Sequence, residues 1–120
     1  MLSRDQILAA APTLPVEEVE VPEWGGTVRV QGLSAADADA FLASSVKRSR
    51  GNGAGEFDRH NFQSRLLAEC LIGEDGAKLF TPKDVEALGK KSAIAVGRIV
   101  PVALRLSGMG PEDMGDAKGN

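Results

Sequence analysis

Few residues in this chain have the types or spacing to do chemistry. His60 is the only histidine, and Asp58 stands two residues before it. The pair suggests a metal ligand or a general base. A metal site needs three or four ligands and a base needs an activated partner, and nothing nearby supplies either. His60 therefore reads as a surface or loop residue. Cys70, the only cysteine, would be a nucleophile only beside a histidine or another activator. It falls on the same apolar stripe as Leu66 and Leu67 and reads as a core thiol. Gly51-Asn52-Gly53-Ala54-Gly55 shares only its glycines with a phosphate loop. It follows no strand, no Gly-Lys-Ser/Thr closes it, and it reads as a linker between helices. The Asp75-Gly76 turn lacks the spaced oxygens of a calcium loop. No catalytic, cofactor-binding or metal-binding residue is assigned, and an enzyme is the least expected class.

What remains is surface. Lys47, Arg48 and Arg50 form a small basic cluster, and Lys91, Arg98 and Arg105 recur at intervals of seven on one helical face. Either set suits an acidic partner or nucleic acid. A solvated face is the more common outcome, because basic side chains also cover apolar surface with their stems. Trp24 lies at a hairpin tip, where it is either a core anchor or a displayed contact. The last helix is apolar over more of its girth than one buried stripe needs, so it is either sandwiched centrally or docks a partner. Trp24, Ile94, Ile99, Val102 and Leu106 are accordingly the candidate partner-binding residues.

The elements that would position these groups follow from composition and pattern. The chain has 120 residues, 42% of them hydrophobic, with four Phe, one Trp and no Tyr. One domain of this length buries roughly two thirds of its unfolded surface, around a core of Leu, Val, Ile and Ala. A net charge of −3 offers no general attraction to a phosphate backbone. One cysteine allows no internal disulfide, which fits a reducing compartment. The apolar run Ile7 to Ala11 is too short and too acidic at its flank for a signal peptide, and no run is long enough for a bilayer. A soluble cytoplasmic protein is expected.

Ser3 and Gln6 form a capping-box pattern, which predicts a helix over Arg4 to Ala11. Val19 and Val21, alternating with Glu18 and Glu20, then Val28 and Val30, predict a β-hairpin across a Gly25-Gly26 turn, with Arg29 facing a glutamate. Ser34 with Asp37 starts a second helix carrying Ala38, Phe41, Leu42 and Val46, with Lys47 and Arg48 near its end. A third helix should cover Arg59 to Ile72 and bury Phe62, Leu66, Leu67, Cys70 and Leu71. Gly73 to Gly76 turns the chain, and Thr81-Pro82 caps a short helix with Val85 and Leu88 inward. A final helix spans Lys91 to Ser107, with a kink expected at Pro101. Gly108 to Asn120, rich in glycine, is expected to be a disordered tail. The fold class is thus α+β: a mostly helical domain over residues 1–107 with an N-terminal hairpin, followed by a tail over 108–120.

Two blocks carry a resemblance, VEVPEWGGTVRVQGLS from Val19 to Ser34 and the stretch from Leu67 to Ile99. In their order, their spacing and the small acidic format, the chain resembles the tail assembly chaperones of long-tailed (siphovirus-like) bacteriophages and prophages. The segment after Ser34 and the break at Gly51 depart from that pattern. The resemblance implies a non-enzymatic chaperone without cofactor, active in the host cytoplasm and not part of the mature virion. It implies the tape measure protein as partner, kept soluble while tail-tube subunits polymerise around it. It also implies a longer product made by ribosomal frameshifting that recruits the major tail protein. Lys118-Gly119-Asn120 can be encoded with a GGGAAAC slippery heptamer. Homo-oligomers are a further association it admits; nucleic acid and membrane are not expected partners. The alternatives are a small structural tail or connector protein of the virion, and a small nucleic-acid-binding regulator using Lys47, Arg48 and Arg50.

Overall fold

The computed structural model describes residues 1–11, 13–48, 55–57 and 61–109. Helix α1 spans Arg4–Ala9. Ser3 Oγ accepts from the Gln6 N–H while Gln6 Oε1 accepts from the Ser3 N–H, the reciprocal cap that the spacing predicts. The helix stops before Ala11 because Ala10 turns extended. No residue of α1 is buried.

Strands β1 (Val16–Val21) and β2 (Gly26–Gln31) pair antiparallel, with Glu18 opposite Arg29 and Val19 opposite Val28. Alternation sends Val21 and Val30 into the core and leaves Val19 and Val28 packed at its margin. The connection is more than a Gly-Gly turn. Pro22–Trp24 form a single 3-10 turn, closed by Gly25 at φ 74°, a left-handed conformation in which a Cβ is disfavoured.

Ser34 Oγ accepts from the Asp37 N–H and starts α2 (Ala35–Ser44), which buries Phe41. The expected helical run through Val46 is cut short. Ser44 and Ser45 donate their hydroxyls to the Phe41 carbonyl, a local competitor for helix continuation. Val46 instead opens β3 (Val46–Arg48), so Lys47 and Arg48 are strand residues rather than a helix terminus, and Leu42 is exposed. β3 pairs antiparallel with β4 (Gly55–Phe57), a second hairpin that the pattern did not predict. Of the Gly51 to Gly55 break, only Gly55 lies within the described residues. Asp58, His60 and Arg50 lie outside them.

Helix α3 spans Phe62–Cys70 rather than Arg59 to Ile72. Leu71–Ile72 turn extended as β5 and pair antiparallel with β2, giving the sheet order β1-β2-β5. The apolar pair stays buried while satisfying backbone groups on the free edge of β2, which a continued helix would leave open. Asp75 Oδ1 then accepts from the Ala77 N–H, and Gly76 at φ 85° completes the turn.

Thr81 caps a 3-10 turn over Pro82–Asp84 that leads into α4 (Val85–Gly89), with Leu88 buried. Ser92 accepts from the N–H groups of Ile94 and Ala95 and starts α5, Ala93–Leu106. Pro101 sits inside α5 without ending it. Gly97, whose carbonyl loses its helical partner, shares the exposed side with Pro101. The helix closes with Gly108 at φ 73°, its N–H on the Arg105 carbonyl and the Met109 N–H on the Leu104 carbonyl. Met109 is buried in the core, so the ordered chain continues past residue 107, where the tail was expected to begin. Residues 110–120 lie outside the described residues.

The fold is α+β. Helix α5 lies between α3 and the hairpin, as a central helix would, and buries Ala95, Val96, Ile99, Val100 and Ala103. Leu66, Leu67, Leu71 and Cys70 meet it from the other side, with Val21 and Val30 from the sheet. Each such aliphatic side chain contributes about 1.5–3 kcal/mol by leaving water. Gly32 is where β2 reaches the end of α5. Its N–H bonds the Pro15 carbonyl, and a Cβ there would be driven into the carbonyl of Leu106. Among the described residues no helix is long and apolar enough to cross a membrane.

Candidate partner-binding surface

The basic face of α5 is exposed, but two of its three charges are paired within the chain. Arg98 donates through Nε and Nη2 to the two carboxylate oxygens of Glu23, both at 2.8 Å. Those hydrogen bonds pull the Glu23 carboxyl below its ordinary range and push Arg98 upward. Two turns later, Arg105 donates to Glu17 at 2.6 Å. Glu17 stands opposite Val30 on the inward side of the sheet, where a charge at the rim needs a partner. The seven-residue spacing thus clasps both ends of β1 and its turn to α5. Arg98 and Arg105 lie on an exposed face, as expected, but carboxylates of the same chain take the place of an outside acidic partner.

Lys91, the first member of that series, has no ion pair among the described residues. It borders a groove of about 250 Å³ lined by Trp24, Phe80, Asp84, Ala87 and Leu88. The Glu23–Arg98 pair holds the 3-10 turn, and with it Trp24, against this site. Asp84 is already engaged, accepting from the Thr81 N–H at 2.9 Å. The groove therefore offers apolar walls and one uncommitted cation.

Trp24 is 37% exposed, so it is neither fully folded back nor fully displayed. Ile94 is 67% exposed and open to a partner. Val102 and Leu106 pack partly against the core, and Ile99 is wholly buried. Ile99 is thus a core residue rather than a contact, because the interior stripe of α5 passes through it. Sequence reading missed Phe80, although it precedes the capping Thr81, where an apolar residue commonly packs back on its helix. It also missed Glu17 and Glu23 as partners of the α5 arginines. No local spacing signals that pairing.

A second concavity of about 590 Å³ lies among Phe41, Arg65, Glu69 and Val85. Arg65 stacks 5.4 Å above the Phe41 ring and donates to Ser44 Oγ, so its charge is already engaged. Cys70 is fully buried, and burial pushes its thiol up to about 11, with the Ser107 hydroxyl offsetting this slightly. Such a thiol is a poor nucleophile. Among the described residues no group of three or more His, Cys, Asp or Glu could hold a metal.

A family model for phage tail assembly chaperones matches residues 3–120, nearly the whole chain. The chain belongs to the phage tail assembly chaperone family. No curated protein and no solved structure matched it. For a tail assembly chaperone the relevant surfaces are those that meet proteins of the tail. On this one the Trp24–Phe80–Leu88 groove combines concavity, apolar walls and a free charge.

Proposed function

We propose that this tail assembly chaperone binds the tape measure protein and keeps it soluble during tail-tube assembly, without catalysing a reaction. The observation that carries the reading is the groove of Trp24, Phe80, Ala87 and Leu88, apolar and open beside Lys91. Such a groove suits the apolar face of an amphipathic helix with an acidic residue at its margin. An extended helical partner would engage many copies, each burying a short stretch. Nucleic acid is not a partner on this reading, since carboxylates occupy Arg98 and Arg105. The protein acts in the host cytoplasm and is absent from the finished virion. A longer, frameshifted form recruits the major tail protein.

Co-expression of the tape measure protein with and without this chain tests the reading. We expect soluble tape measure only in the chain's presence, and a recoverable complex that Ala87→Glu weakens. Unchanged tape measure solubility with no complex would overturn it. Stoichiometric recovery of the chain from purified tails would favour a structural virion component instead.

A further inference from the structure

Among the described residues, helix α1 is a second apolar surface with nothing covering it. A free helix of this length is not stable in water on propensity alone, yet α1 is capped and regular. Leu2, just before its cap, and Ile7 and Leu8 within it are 69%, 57% and 68% exposed. The same chain carries an open apolar groove whose one uncommitted charge is Lys91, while α1 carries Asp5. Asp5 is held only by its neighbour Arg4 in a fully exposed pair, which solvent exchanges readily. Arm and groove are both apolar, and each carries one charge of either sign: Arg4 and Asp5 on the arm, Asp84 and Lys91 at the groove.

We propose that α1 of one copy seats Ile7 and Leu8 in the Trp24–Phe80–Leu88 groove of a second copy, with Asp5 toward Lys91. The local bonding of the link favours a second copy over the same chain. The Gly32 N–H anchors the Pro15 carbonyl at the end of the hairpin away from Trp24. Along the hairpin, the distance from Pro15 to the turn is about 20 Å at 3.3 Å per residue. The link from Ala9 to Pro15 covers at most about 20 Å when fully extended. It is not extended: the Thr13 N–H bonds the Ala11 carbonyl and the Ala10 N–H bonds the Ile7 carbonyl. Docking within one chain would break both bonds and straighten every residue. A second copy requires neither. Docked arms would shield the grooves from wrong partners until a helix of the tape measure displaces them. The shielding role rests on the chaperone reading; the docking does not.

Disulfide trapping tests the geometry. Leu8→Cys in one chain is mixed with Ala87→Cys in another and oxidised, with Asp39→Cys on α2 as the control position. The native Cys70 is buried and stays out of the exchange. We expect a cross-linked heterodimer from the first pair and none from the control. A single chain carrying both cysteines should link between chains, at a rate that falls on dilution. Sedimentation of the full chain should show self-association that I7E/L8E and, separately, A87E weaken at least about tenfold, a difference of 1.4 kcal/mol or more. Circular dichroism should show an unchanged body for I7E/L8E, because α1 buries nothing. A monomeric wild type, self-association insensitive to I7E/L8E, or a link within one chain independent of concentration would overturn the proposal. None of these bears on tape measure solubility in co-expression, so the two readings fail separately.

Discussion

Helices α1 and α5 begin alike and end in opposite situations. Each follows a serine whose hydroxyl accepts from backbone N–H groups of the first turn, and each is rich in aliphatic residues. Helix α5 then buries a full stripe between α3 and the hairpin, while α1 buries nothing. A cap determines where a helix starts. What holds the helix is decided by whether residues distant in the chain come to meet its apolar face. Helix α5 is interior; α1, among the described residues, is exposed surface.

The comparison breaks first at the core. Leu67→Ala, opposite α5, should lower unfolding free energy by about 2–5 kcal/mol in urea titration. Loss under 1 kcal/mol would mean that α3 and α5 are not the packed pair described. Cys70 gives a pH handle on the same contact. Its thiol ionises at about 11 in the folded state against 9.0 when free, so the unfolded chain deprotonates first. Stability is therefore unaffected below about pH 9 and falls as pH rises from there through 11. The loss should be about 2–3 kcal/mol, and Cys70→Ala should remove that pH dependence. Gly32→Ala at the end of α5 should cost about 1–3 kcal/mol, because the backbone carbonyl of Leu106 must give way.

Much of this architecture was legible because its causes are local. The Ser3–Gln6, Ser34–Asp37 and Thr81–Asp84 pairs each put donor and acceptor within one turn, so spacing alone predicts them. The hairpin register follows from a two-residue alternation that admits one buried face. β5 was not legible, since Leu71 and Ile72 continue the apolar period of α3. Only the distant edge of β2 makes them a strand. The Glu23–Arg98 pair spans 75 positions, and nothing local connects its halves. The candidate groove was half visible. Trp24 and Leu88 could be named, but their meeting with Phe80 depends on where the hairpin tip lands.

Smaller effects sharpen the contrast. Arg98→Ala should free the hairpin tip and raise Trp24 solvent quenching, with only a slight drop in thermal midpoint, as exposed pairs contribute little. The depressed Glu23 carboxyl makes that pair's contribution present above the ordinary value of 4.5 and lost as pH falls through the lower folded value. Smallest of all, Ser3→Ala should leave the denaturation midpoint of the body unchanged while fraying α1. A cooperative loss of stability there would show that α1 is packed after all.

Met109 has a consequence for where the chain leaves its last helix. Buried behind the Gly108 cap, it fastens the polypeptide to the core just before residue 110. Met109 thereby fixes the point at which the chain leaves the end of α5, and it does so by packing rather than by the helical hydrogen bonds alone.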